Sequence, residues 1–179
     1  MGAPTTWVLA NHDVTREVTR YGGGEVGLRR ARAAALLMLA LPGGAYVYQG
    51  EELGLEEVED LPEELLADPT WLRSGHTVRG RDGCRVPVPW TTEGPSLGFG
   101  PGEPWLPLAK EHEGLSVEAQ SADPDSVLGF AREMIAMRKS MPALSVGEIA
   151  FAEVTAPLIA FVREHEDQAI VCVFYMSGQ

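Results

Sequence analysis

Basic residues are scarce in this chain. Fourteen lysines and arginines stand against 26 aspartates and glutamates over 179 residues, for a formal charge of −12. That balance excludes nucleic acid and anionic membrane as partners, because both recruit proteins through a positive field. Cysteine is scarcer still. Cys84 and Cys172 follow no metal or redox spacing and read as two buried or half-buried free thiols in a reducing compartment. Long apolar runs are missing too: the longest, Ala33 to Leu41, has nine residues, whereas a membrane span needs about 20. The N-terminus, Met1 to Trp7, carries neither the basic nor the apolar stretch of a signal peptide. The chain is therefore expected to be soluble and cytoplasmic.

What is present is ordinary globular composition, 45% hydrophobic and 22% charged, which argues against disorder. Thirteen prolines and 20 glycines point to many loops. The length fits one domain, or one domain and the start of another. A compact globule of this size buries about 70% of its unfolded surface.

The charge is unevenly placed. Up to Gly50 there are three acids and five arginines, whereas Glu51 to Asp68 holds nine acids and no base. Leucines lie scattered among those carboxylates, and the stretch is expected to be a solvated loop or short surface helix. Thr6 to Ala10 reads as a buried parallel strand ending in the polar cluster Asn11-His12-Asp13. After the breaker Tyr21 to Gly24, Val26 to Leu41 is rich in strong helix formers, and Pro42-Gly43-Gly44 stops it. Ala45 to Tyr48 is again strand-like. Strand, helix, strand is a βαβ unit and implies a parallel sheet.

From Glu51 to about Asp123 periodicity is weak. Trp71, Trp90, Phe99 and Trp105 recur there and favour an ordered segment over a disordered linker. Asp123-Pro124 is expected to cap the next helix, with proline at its first position. Val127, Phe130, Ala131, Met134 and Met141 share one face of it, and its methionines read as core filler. Arg138 and Lys139 suit the dipole at its C-terminal end. Beyond Gly147 the period changes. Glu148 to Val154, Leu158 to Val162 and Ala169 to Tyr175 read as an antiparallel meander, which sets a domain boundary near Leu144. Three strands leave an edge open, so the chain looks cut at both ends.

Two motifs carry chemistry. Polar side chains at the C-terminal end of a parallel barrel strand are where such active sites are built. In Asn11-His12-Asp13 the carboxylate suits stabilisation of an oxocarbenium-like transition state, and the imidazole suits donation to a hydroxyl. The bland alternative is a helix N-cap with a satisfied histidine. In Gly80 to Trp90 (GRDGCRVPVPW), two arginines flank an Asp-Gly turn. Arginine offers fixed donors for carboxylates or hydroxyls, and Trp90 offers a face for a sugar ring. The bland alternative is a surface salt bridge on a proline-stiffened loop. His12, His76, His112 and His165 lack metal-ligand spacing, so neither a metal nor a cofactor is expected.

Five ordered segments, WVLANHDVTREVTRYG, LPGGAYVYQGEELGL, GRDGCRVPVPW, GFGPGEPWLPL and VEAQSADPDSVLGFAREMIAMRK, resemble the α-amylase superfamily. More narrowly, they resemble its exo-acting oligo-1,6-glucosidase and maltase branch. The resemblance implies an α/β fold class. The last βα units of a TIM-type (β/α)8 barrel would occupy residues 1–143, and the first strands of an antiparallel β-sandwich residues 144–179. It implies that Asp13 is the transition-state stabiliser and that His12 binds the −1 sugar. It further implies that Arg81, with Arg85 as the alternative, closes the glucose pocket at the non-reducing end. Glu51 and Glu52 read as structural rather than catalytic.

Retaining hydrolysis needs two carboxyl groups about 5 Å apart. The resemblance places both upstream of Met1, and no segment here resembles either motif. The expected partners are a small α-glucoside or oligosaccharide and the missing N-terminal barrel segments. The isolated chain is expected to be inactive, with apolar strand faces uncovered. The competing readings are a non-catalytic sugar-binding fragment or pseudoenzyme, and a trehalose- or sucrose-processing transglycosidase.

Overall fold

A computed structural model describes residues 5–176. In chain order the elements are β1 (Thr6–Val8), α1 (Glu17–Arg20), α2 (Gly24–Ala40), β2 (Gly44–Tyr46), α3 (Pro69–Arg73), α4 (Val117–Ser121), α5 (Val127–Ser140), α6 (Pro142–Ser145), β3 (Glu148–Phe151), β4 (Leu158–His165) and β5 (Gln168–Tyr175). The chain divides into two compact units. One comprises Met1–Leu9, Arg32–Tyr46 and Ala131–Gln179; the other comprises Ala10–Ala31 and Val47–Phe130.

In the first unit β1 and β2 pair in parallel, Thr6 opposite Gly44 and Val8 opposite Tyr46. The parallel arrangement follows from the long helix between them, since parallel strands need a crossover and not a hairpin. The sheet is open. Its strands are shorter than the apolar runs suggested, and they are not buried: Val8 is 47% and Tyr46 67% exposed. Two strands have too few neighbours to cover both faces of a parallel sheet.

β3, β4 and β5 form an antiparallel meander in that order, with His165 facing Gln168 across a two-residue hairpin. Alternation puts Phe161, Cys172 and Phe174 inside, where they join Ala40 and Leu144 in one apolar cluster. Two arginines finish this core in a way the sequence did not suggest. Arg138 lies in the last turn of α5, as expected, and its side chain also reaches another element. It donates to the carbonyls of Leu39, of Leu41 (2.8 Å) and of Gly43 (2.6 Å). Fully buried Arg163 donates to the carbonyls of Ala40 (2.5 Å), Gly147 (2.8 Å) and Glu148 (3.2 Å). The last carbonyls of a helix have no partner within it, and the negative end of the α2 dipole offsets the buried positive charge.

In the second unit the acidic stretch is a loop with short turns, as expected, and Glu59, Asp60, Glu63 and Glu64 are exposed, but its leucines turn inward. Leu53 and Leu55 are fully buried and pack with Val88 and Leu128, while Leu61 and Leu66 pack with Trp71, Val86 and Leu106. Several of its carboxylates are tied to main chain: Glu56 accepts from the Gly24 amide (3.0 Å) and Glu57 from the Arg16 amide (3.0 Å). The leucines supply the apolar burial that keeps the segment folded back. Between Glu51 and Asp123 the order is local, built from α3, α4 and short 3-10 turns. Trp71 is buried, whereas Trp90, Phe99 and Trp105 stay about half exposed or more. The cap of α5 also differs from expectation. The Ser126 hydroxyl accepts from the Gly129 amide (3.0 Å), and the Ser126 carbonyl takes the first helical bond, from Phe130. Asp123 instead closes a turn onto the Asp125 amide, which moves the helix start beyond Pro124.

Candidate active site

All four residues singled out in the sequence lie in the second unit, and they meet. Arg81 approaches Asp13 with NH1 2.5 Å from Oδ1, and Arg85 reaches the same oxygen with NH2 at 3.2 Å. Arg85 Nε donates to the His12 carbonyl at 2.9 Å. The His12 ring lies beside Asp13, with Nε2 3.5 Å from Oδ2. Residues nearly seventy positions apart thus form one ion cluster. Local chemistry sets the Asp13 end, where the Asn11 side chain accepts from the Asp13 amide (2.8 Å) in a turn typical of asparagine.

The far side of both guanidinium groups is held by a residue the sequence reading passed over. Asp68 Oδ2 lies 2.5 Å from Arg81 Nε and 3.5 Å from Arg85 NH1. Its side chain is fully buried, while Asp13 is 51%, Arg81 37% and Arg85 23% exposed. Burial alone would raise the Asp68 carboxyl, but hydrogen bonds from Arg81 and Thr70 hold it well below the ordinary aspartate range. Asp82 was expected either to turn the loop or to pair with its neighbouring arginine. It is buried, and its Oδ2 accepts from the amides of Ala67 (2.8 Å) and Asp68 (2.9 Å). The ion pairs of this loop are made outside it: the loop's aspartate serves the main chain, and its arginines form partly exposed salt bridges with Asp13 and reach Asp68.

Beneath the cluster, Arg16 is buried and joins three segments. Its NH1 donates to the Gln49 carbonyl (3.0 Å) and its NH2 to the Cys84 carbonyl (2.9 Å), and its guanidinium lies 5.1 Å from the Tyr48 ring centre. The Tyr48 hydroxyl also donates to the Cys84 carbonyl (3.0 Å). Three residues after Asp13, this clasp fixes the Asp13 segment to the arginine loop. Glu51 accepts from the Tyr48 amide (2.5 Å). Burial, with Glu17 nearby, raises its carboxyl to about 8. Burial likewise pushes the Cys84 thiol up to about 11. Neither group is placed among the four that meet at Asp13.

The outer part of this arrangement is open chemistry. An exposed carboxylate–guanidinium pair contributes only about 0–1 kcal/mol, so other hydrogen-bonding groups can replace it at little cost. The inner part, anchored on Asp68, is not exchangeable in that way. A cavity of about 160 Å³ lies nearby, lined by Thr15, Glu57, Glu59, Arg79 and Gly80 among others; Asp13 does not line it. Among the described residues no group of three His, Cys, Asp or Glu side chains is gathered to hold a metal ion. No helix among them is long and apolar enough to cross a membrane.

Comparison with known proteins bears on the same residues. The family described as alpha amylase, catalytic domain, matches residues 2–147. A probable alpha-glucosidase of Rhizobium meliloti (strain 1021) is 41% identical over 174 residues, which cover 97% of this chain and 31% of that protein. A probable oligo-1,6-glucosidase 2 of Bacillus subtilis (strain 168) is 30% identical, covering 97% of this chain and 34% of that protein. Among solved structures, the alpha-glucosyl transfer enzyme XgtA superposes with a TM-score of 0.88 at 45% identity, over 99% of this chain and 33% of that one. The chain spans about a third of the length of each.

Proposed function

Because the chain belongs to the α-amylase family, we propose that it is the C-terminal part of a retaining exo-α-glucosidase acting on short α-glucosides. Residues 1–143 would complete the catalytic barrel, and residues 144–179 would begin the sandwich domain. The end of the family match at residue 147 and the switch to a meander at β3 support that division. One observation carries the assignment of the site: Asp13 Oδ1 is shared by Arg81 and Arg85, with His12 alongside. In this reading Asp13 faces the −1 glucose and stabilises positive charge developing at its anomeric carbon. His12 binds a hydroxyl of the same ring. Arg81, with Arg85 as the alternative, closes the pocket beyond the non-reducing end, so that only terminal glucose is released. The absence of a recognisable nucleophile and acid/base from this sequence leaves the chain inactive by itself. Those groups come from the barrel segments that would be its partner, in a cytoplasmic enzyme.

A second reading is glucosyl transfer in place of hydrolysis, favoured by the 45% identity to a protein described as an alpha-glucosyl transfer enzyme. Both readings use the same Asp13 chemistry and differ in the acceptor, water or a sugar hydroxyl. The test joins this chain in frame to the first two-thirds of the Rhizobium meliloti relative. The expected result is release of 4-nitrophenol from an aryl α-glucoside by the joined protein and none by the chain alone. Sustained release by the chain alone would refute the division of labour. Product analysis with maltose present separates hydrolysis from transfer.

A further inference from the structure

We propose that Asp68 is the positioning residue that aims Arg81 and Arg85 at Asp13. Arg81 is held at two places and Arg85 at three, the third being its Nε on the His12 carbonyl (2.9 Å). Arg81 uses Nε for Asp68 (2.5 Å) and NH1 for Asp13 (2.5 Å). Arg85 uses NH1 for Asp68 (3.5 Å) and NH2 for Asp13 (3.2 Å). Asp68 and Asp13 therefore bind different nitrogens of both planar groups, and a rigid fork fixed at one nitrogen has its others directed. For Arg81 the inner contact is the sheltered one, because Asp68 is fully buried whereas Asp13 is half exposed.

Asp68 is itself fixed from two sides. Its amide donates to Asp82 (2.9 Å), and its Oδ1 accepts from the Thr70 amide (2.8 Å), capping α3. That cap occupies one oxygen; the other oxygen is left for the arginines. Capping does not require an aspartate, since serine caps about as well. What serine lacks is the reach and the charge to hold two guanidinium groups. The residue thus has two separable roles, one that serves α3 and one that serves the arginine pair. Nothing in the motif Gly80 to Trp90 reveals the second, because the anchor lies outside it in sequence.

The consequence for sugar binding rests on the reading of Asp13 and Arg81 given above, but the test does not. In the full chain, 15N NMR is used to follow the side-chain Nε–H groups of Arg81 and Arg85 together with the Thr70 amide. The wild-type protein is expected to show both Nε–H groups ordered, with heteronuclear NOE values near those of the backbone. In Asp68→Ser the Thr70 amide keeps its protection, while Arg81 Nε–H loses its order and exchanges with water at least tenfold faster. Asp68→Asn, which keeps the cap and one acceptor, is expected to fall between. Arginine Nε–H groups that are mobile in the wild type, or unchanged in Asp68→Ser, overturn the proposal. So does joint loss of Thr70 protection and arginine order in both variants, since Asp68 then serves only the fold. A joined enzyme that turns over normally without Asp13 would instead overturn the functional reading and leave these spectra as they are.

Discussion

Replacing Gly80 by alanine probes the anchoring of the arginine loop through the backbone. Gly80 has φ +80°, and a Cβ there would lie 2.7 Å from Asp68 Cβ and 2.8 Å from its Cγ. The left-handed conformation costs an L-residue about 1–2 kcal/mol. Alanine regains about 0.4–1 kcal/mol by restricting the unfolded chain, and forcing atoms into an occupied site costs about 1–3 kcal/mol. Gly75 provides the control: its φ is +64°, and an added Cβ there would meet nothing within 4 Å. Gly75→Ala is therefore expected to lose about 1 kcal/mol, and Gly80→Ala about 2–4 kcal/mol by the same reasoning. The difference between them isolates the contact with Asp68. Urea denaturation of the two variants, followed by tryptophan fluorescence, measures it. Equal losses would refute the claim that the loop closes against Asp68.

Two further expectations follow from buried charge. In Arg163→Met the carbonyls of buried Ala40 and Gly147 lose the donor that Arg163 supplies. Their loss outweighs the desolvation relieved, for a net cost of about 3 kcal/mol in urea denaturation; an unchanged or raised midpoint would count against that balance. Glu51, raised to about 8 by burial, binds a proton in the folded protein more readily than in the unfolded one. Its contribution is thus fully present below the ordinary glutamate range and is lost as pH rises through about 8. Glu51→Gln should flatten the decline in stability between pH 5 and 8, and an unaltered slope would remove Glu51 as its cause.

Much of this molecule can be read from short-range pattern. The apolar run at Thr6, the helix formers after Gly24 and the stop at Pro42 predict the βαβ unit, because each depends on neighbours in sequence. The meander from Glu148 follows from alternation in the same way. What pattern left unseen shares a different cause. Arg138 and Arg163 find partners at the end of α2, Asp82 binds main chain near Asp68, and Leu53, Leu55, Leu61 and Leu66 are drawn inward despite the acids around them. Each of these outcomes is decided by a contact distant in sequence, to which composition and periodicity are blind. The site follows the same rule. Asn11-His12-Asp13 and the two arginines stand out by residue type and by resemblance, and the structure brings them together. Asp68 and Arg16, which hold them there, do not stand out. Asp68 has the look of a helix cap before Pro69 and Thr70, which accounts for one of its oxygens and says nothing of the other.

The most direct measurement of the central claim concerns Asp13 in the joined enzyme. Asp13→Ala is compared with wild type for turnover of an aryl α-glucoside and for the dissociation constant of glucose. A group that acts on developing charge lowers kcat far more than it lowers binding. We predict a loss in kcat of about a thousandfold or more, with glucose binding weakened by about tenfold or less. Near-normal kcat in that variant would contradict the account, whatever its effect on binding.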